Sequence, residues 1–402
     1  MKVLVLSPGQ PSSLNSGLGT AANALIKELG KVTDLVVVQP DNVDSNVDKL
    51  YAKEIKIEVD EEAFSEKSIA QQNVQITVSS YLDPYHYGSQ LKNEETITKE
   101  EEIEIRNELI KYSKQVIIGT KKVSFDLIYA HDWITLQAAV KLKKETGKPI
   151  VVHIHSLDYD RGATEHSTFV HDIEYEGLRQ ADAIIAVSQY TRDVLVSHYD
   201  VDPKKISVVN NAIEHFETSK PSKRSSEKLI LFVGRMIGQK GPELFLEIAD
   251  RLIKKRDDVR FVMVGGGALL HELIQKGQDP MRSGKIHFTG DLTRKEVFEF
   301  YARSSVYCMP SVSEPFGLSA LEAAQAGVPV VLSHNCGAAE VLKGSYLADI
   351  SNVDSFVKQI DMVIDDKEMR EKSVDLNLKC ISNTSWEKAS KQVNAVFEGL
   401  LG

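Results

Sequence analysis

The chain of 402 residues carries a formal net charge of −10, with 42% apolar and 26% charged side chains. That balance describes globular domains and argues against broad nucleic-acid binding or membrane association, while the length predicts two domains rather than one core. Three cysteines without close spacing (Cys308, Cys336, Cys380) argue against a disulfide framework or a cysteine zinc site. No apolar run reaches the roughly 18 residues of a membrane span, so a cytoplasmic protein is expected.

Lys2–Ser7 reads as a strand whose apolar run is too short for a signal peptide. Asn15-Ser16-Gly17-Leu18-Gly19-Thr20 follows as a turn, then a helix over Ala21–Leu29 and a strand over Leu35–Gln39. Glycines at a strand-to-helix junction let backbone amides approach an anion or a sugar hydroxyl, although a plain tight turn looks the same. The spacing is not G-x-G-x-x-G, so the dinucleotide fingerprint is absent. Strands at Glu54–Glu58 and Val74–Ser79 precede an aromatic loop, Tyr81–Gly88, suited to sugar faces or to ordinary packing. Residues 98–115 form an acidic helix, the wrong sign for docking on an anionic membrane.

From 125 the alternation is regular. Strands at Phe125–Ala130, Pro149–His155, Ala183–Val187 and Lys205–Val209 are separated by helices ending near Lys144 and spanning 169–180 and 190–198. Such alternation predicts right-handed βαβ units and parallel sheets. The polar stretch 217–227 is the predicted linker between a first domain, 1–216, and a second, 228–380. The second repeats the pattern, with strands at Lys228–Val233, Arg260–Val264, Lys285–Thr289 and Val306–Pro310. Its helices fall at Gly241–Lys255, after Gly265-Gly266-Gly267, and at 293–303. Within 381–402, an amphipathic helix over Ser385–Leu401 presents Trp386, Val393, Phe397 and Leu400, with Asn383 or Thr384 as its cap.

Three patterns carry chemistry. The strand Val306–Pro310 leads into Ser311–Val330, where a turn at Ser313-Glu314-Pro315 follows and Pro315 suits the first position of a helix closed by Gly327. Its apolar residues predict a helix buried on most sides, where Glu322 needs a partner or a ligand; Glu314 and Glu322 could also serve the helix dipole or face solvent. Gly234-Arg235-Met236-Ile237-Gly238-Gln239-Lys240-Gly241 places two cations on a glycine loop at a strand end, a diphosphate clamp or else two solvated charges. It is no Walker loop, since Ser or Thr does not follow Lys240. The rival pattern is His153 and His155 on one strand face, with His131, Asp132, Asp158 and Asp160 nearby, as in a zinc hydrolase. The metalloprotease motif H-E-x-x-H is absent.

On Glu314-x₇-Glu322 within E-P-F-G-L-S-A-L-E-A-A-Q-A-G-V-P-V, on Gly234-Arg235…Lys240-Gly241, and on Ala130-His131-Asp132-Trp133, His155-Ser156-Leu157 and Ala186-Val187-Ser188, the chain resembles the retaining glycosyltransferases of family 4. The likeness covers essentially the whole chain, and the first half is most similar to the glycogen and starch synthase branch. One departure is the N-terminal turn, which reads Leu14-Asn15-Ser16-Gly17-Leu18-Gly19, without the lysine those synthases carry before their glycines. The resemblance implies the GT-B fold: two Rossmann-like α/β domains facing across a cleft, with the C-terminal helix crossing back to the first. It implies that Arg235 and Lys240 neutralise a departing nucleotide diphosphate, helped by amides of Gly17 and Leu18 and by the helix start at Gly317, Leu318 and Ser319. Gly234, Gly266 and Gly290 would line the nucleotide, and Glu322 would hold its ribose. Glu314 would contact the donor sugar at the reaction centre, His155 would bond that sugar, and Asp132 would line the acceptor side. The same resemblance implies no metal and no cofactor. The donor substrate would be a nucleotide-diphosphate hexose, glucose first, and the acceptor an α-glucan or other sugar, with small or lipid-linked acceptors as the alternative.

Overall fold

The computed structural model describes residues 1–8, 17–40, 54–57, 74–78, 98–162, 168–216, 227–278, 282 and 284–402. The aromatic loop Tyr81–Gly88, the turn residues before Gly17 and all of the predicted linker except Glu227 lie outside them. Two compact units result: Met1–Tyr159, Ala163–Asn210 and Trp386–Gly402 form the first, and Asp160–Gly162 with Asn211–Ser385 the second.

The first unit is built on a parallel sheet of β1 (Lys2–Leu6), β2 (Asp34–Pro40), β3 (Glu54–Ile57), β4 (Val74–Val78), β5 (Leu127–His131), β6 (Ile150–Ile154), β7 (Ala183–Ala186) and β8 (Ile206–Val208), in the order β3-β4-β2-β1-β5-β6-β7-β8. The central strands are largely apolar because helices cover both faces: β5 and β6 are buried along their whole length. The chain builds outward from β1 in one direction, then returns to place β5 on its other side. That reversal is a topological switch point, beyond whose strand ends ligands bind in open α/β sheets.

The second unit repeats the plan with β9 (Lys228–Val233), β10 (Val259–Val264), β11 (Ile286–Gly290), β12 (Val306–Met309), β13 (Val330–Ser333) and β14 (Tyr346–Ala348), all parallel, in the order β11-β10-β9-β12-β13-β14. The reversal falls between β9 and β12. The two loops singled out in the sequence, after Val233 and after Met309, therefore leave neighbouring strands at the same end.

Several expected boundaries move. The first helix starts at Gly17 rather than Ala21, so Gly17-Leu18-Gly19 is its first turn and not a loop. The acidic helix runs on to Thr120, because Ile105, Leu109, Tyr112 and Val116 continue one buried stripe; Thr98 and Glu101 cap its start reciprocally. Asn383 does not cap the last helix, Trp386–Leu401: it stands at the C-terminal end of the preceding helix, Lys367–Ser382, and the Thr384 hydroxyl donates back to the Ile381 carbonyl.

That last helix is part of the first unit. Trp386, Ala389, Val393 and Phe397 are buried, and the Phe397 ring meets Tyr129 of β5 edge-on at 5.0 Å between centroids. No helix among the described residues is long and apolar enough to cross a membrane. Truncating Phe397 to Ala should cost about 3–5 kcal/mol, the range for deleting a buried aromatic ring. Urea unfolding followed by circular dichroism would show this as a lower midpoint; an unchanged midpoint would mean that the helix contributes nothing to the first unit.

Candidate active site

In the second unit the site begins with backbone contact. Gly241 has φ +67°, and a β-carbon there would lie 2.1 Å from the Pro310 carbonyl oxygen, so only glycine lets this turn press against the end of β12. The Val312 amide donates to the Gln239 carbonyl at 2.9 Å, fixing the two loops to each other. Lys240 is thereby carried to Glu314, with Nζ 2.5 Å from Oε2. Glu314 is itself held at both backbone ends: its amide donates to Asn335 and its carbonyl accepts from Gly337, each at 2.9 Å. Arg235 is half-buried on the same loop as Lys240.

Gly317 explains why Pro315 does not start the helix. It adopts φ +99°, with Met309, Glu314 and Cys336 around the place of a β-carbon, and it caps a helix limited to Leu318–Gln325. Pro315 lies two residues before that cap, so its preference for a first helical turn yields to the fixing of Glu314. The helix is also less enclosed than expected. Ala320, Leu321, Ala323 and Ala324 are buried, whereas Leu318, Ser319, Glu322 and Gln325 are half-buried. Ser319 meets the Tyr307 hydroxyl at 2.8 Å.

Glu322 does have partners. Arg294 Nη2 stands 3.4 Å from its Oε1, and the buried Tyr301 hydroxyl donates to Oε2 at 3.5 Å. Burial pushes its carboxyl up from the ordinary range and Arg294 pulls it back. At the neighbouring strand ends, the Gly266 amide donates to Asp291 Oδ1 at 2.9 Å and the Gly265 amide to the Gly290 carbonyl at 2.9 Å. Gly234, Gly266 and Gly290 thus gather on adjacent loops of this sheet.

In the first unit, His131 ends β5 and Asp132 opens the helix Asp132–Thr146 with φ +52°, a left-handed conformation that few residues other than glycine adopt. Its Oδ1 accepts the His155 amide at 2.7 Å, tying the ends of β5 and β6 together. His131, His153 and His155 are buried, and one nitrogen from each lies within 4.8 Å of the others. This is the group the zinc reading singled out, and some of its nitrogens are engaged with one another and with Tyr129. The three ring planes lie within 11–20° of one another. His131 Nδ1 and His155 Nε2 are 3.0 Å apart and bond each other, and His153 Nδ1 is taken by the Tyr129 hydroxyl at 2.5 Å. Gly17 and Leu18 lie in the first helical turn after β1, the strand beside β5.

Residues 214–375 match the family described as glycosyl transferases group 1, and residues 105–215 match glycosyltransferase family 4. An uncharacterized glycosyltransferase of Methanocaldococcus jannaschii is 30% identical over 303 residues, 70% of this chain and 77% of that one. The chain belongs to glycosyltransferase family 4. Glycogen synthase of Mycobacterium tuberculosis is 29% identical over 227 residues, 54% of each protein. Among solved structures, Anabaena HepE in complex with UDP-glucose superposes with a TM-score of 0.71 at 16% identity, covering 99% of this chain and all of that one, a likeness that shows the GT-B fold.

Sequence reasoning about this glycosyltransferase missed three supporting residues. Arg294 and Tyr301 stand seven apart on the helix Arg294–Arg303, hence on one face, which was the available signal. Glu174, wholly buried, accepts the Asp158 amide at 2.9 Å and the Tyr199 hydroxyl at 2.6 Å, anchoring the loop after His155. A lone glutamate in a helix gave no such signal.

Burial holds all three clustered histidines below the usual imidazole range, His155 at about 3. The unfolded chain takes up protons below about pH 6.5 while these rings do not, so stability is full above that pH and falls as acid is added. Each ring contributes up to about 1.4 kcal/mol per pH unit. Denaturant unfolding between pH 7 and pH 5 should give a slope that His153→Gln reduces by about that amount; an unchanged slope would show that His153 protonates in the folded protein.

Proposed function

We propose that this glycosyltransferase moves a hexose, glucose first, from a nucleotide diphosphate donor to a carbohydrate acceptor with retention at the anomeric carbon and without a metal. The observation that carries the reading is the Lys240–Glu314 pair at the switch point of the second sheet, both side chains mostly withdrawn from water. Breaking the sugar–phosphate bond places negative charge on the departing diphosphate and positive charge on the sugar. A cation and a carboxylate fixed side by side by backbone contacts face those two charges before they develop, which is the arrangement that lowers such a barrier. Lys240, with Arg235, serves the diphosphate, a role that a divalent ion plays in other transferases. Glu314 serves the sugar, Glu322 the ribose, and the amides that open the helix Leu318–Gln325 add to the anion's seat. In the first unit, Gly17 and Leu18, at the start of a helix, suit an anion, while His155, neutral at physiological pH, serves a sugar hydroxyl and Asp132 the acceptor.

The UDP-glucose bound by HepE supports the choice of donor, and the glycogen synthase match supports an α-glucan acceptor. That match spans about half of the synthase, which keeps a small or lipid-linked acceptor as the second reading.

Release of nucleoside diphosphate from UDP-, ADP- and GDP-hexoses, measured with EDTA and with or without glycogen, tests the proposal. One donor turned over in EDTA, with release raised by glycogen, is expected. Release indifferent to glycogen selects the small acceptor, and release restored only by added metal would sink the metal-free mechanism. Lys240→Ala and Glu314→Ala should each lower kcat by about 10²–10³, the cost of losing one preorganised charge. Normal turnover in a folded Lys240→Ala protein would overturn the assignment of the clamp.

A further inference from the structure

Beyond the residues facing the donor, we infer that Arg294 and Tyr301 are positioning residues that orient the Glu322 carboxylate toward the ribose diol. The inference rests on the proposed nucleotide-sugar reading and deepens it. Each carboxylate oxygen has two acceptor sites. Arg294 occupies one on Oε1 and Tyr301 one on Oε2, which leaves each oxygen a site for a vicinal hydroxyl.

The holders are themselves immobilised. The Arg294 guanidinium lies 4.1 Å over the Phe216 ring, which packs on Phe298 at 4.6 Å, and its other nitrogen is 3.2 Å from Glu214. Stacking and a second ion pair fix the plane of the fork. Tyr301 is wholly buried, with its ring edge-on to both Phe298 and Tyr307. The charged groups facing Glu322 are Arg294 and, across it, Glu214. Without Arg294 two carboxylates would face each other with no cation between them. Glu322 would then take up a proton more readily, and one of its acceptor oxygens would become a donor.

The readout is preference for ribose. Binding of UDP, ADP and GDP and of their 2′-deoxy counterparts is measured by calorimetry at pH 8 and pH 6. The wild type should favour the ribonucleotide by about tenfold or more, the worth of a hydrogen bond to a charged group. Glu322→Gln should largely erase that preference. Arg294→Gln should reduce it to within about threefold, with a larger loss at pH 6 than at pH 8, and Arg294→Lys should restore part of it. Tyr301→Phe, which removes only a hydroxyl, should fall between. A folded Arg294→Gln protein that keeps the wild-type preference at both pH values overturns the inference and leaves the transferase reading intact. If Arg294→Gln does not fold, wild-type preference in both Arg294→Lys and Tyr301→Phe overturns it equally. A wild type that binds the ribo- and deoxyribonucleotides alike removes the ribose role of Glu322 and this inference with it. Failure to bind any of the three nucleotides overturns both this inference and the reading beneath it.

Discussion

The Pro310 carbonyl oxygen occupies the space in which any side chain at position 241 would have to begin. That single approach of two backbones governs the second unit's site. It presses the turn Gly238–Lys240 against the end of the strand that leads to Glu314, so a lysine and a glutamate 74 positions apart meet on short, stiff supports. The neighbouring loops follow the same rule: a β-carbon on Gly265 would lie 2.2 Å from the Gly234 carbonyl oxygen. Interlocked turns give side chains a precision that flexible loops do not, and catalysis by fixed charge depends on it.

The Lys240–Glu314 pair is poorly explained as a stabilising element. With 19% and 7% of their side chains exposed, both groups have lost most of their hydration, and the attraction between them does little more than offset that loss. The surface pairs are of another kind: Lys372–Glu368 and Lys391–Glu387 follow helical spacing, stay hydrated and contribute little. A chain selected for stability alone would fill the Glu314 position with an apolar side chain. Placing the charge there makes sense for what it faces during a reaction.

Strand positions were legible because parallel strands covered on both faces leave continuous apolar runs, as at Val3–Leu6 and Ile230–Phe232. The neighbouring of the two loops could be anticipated only in outline, since strand order is set by pairing across the sheet and not by adjacency in the chain. Pro315 misled because a local preference for starting a helix competes with a tertiary demand, the left-handed Gly317 that seats Glu314. The histidines show a different limit. Two residues apart on a strand places His153 and His155 on one face, but what they bond depends on Tyr129 and His131 of the neighbouring strand and on Asp132 of the helix that follows it. Arg294 and Glu322 belong to different helices, and their meeting is a product of the fold alone.

The first unit closes with residues made only after nearly all of the second has been synthesised. Trp386–Gly402 covers part of a sheet whose strands are complete by Asn210, and all of Asn211–Ser385 intervenes. During synthesis, the side of Tyr129 that meets Phe397 stays uncovered until the second unit has emerged, so the nascent chain exposes apolar surface for that whole interval. The second unit has no such wait: apart from the three residues Asp160–Gly162, it is one uninterrupted segment and can finish first. Order of completion therefore runs against order of synthesis, and the need for chaperones falls on the first unit.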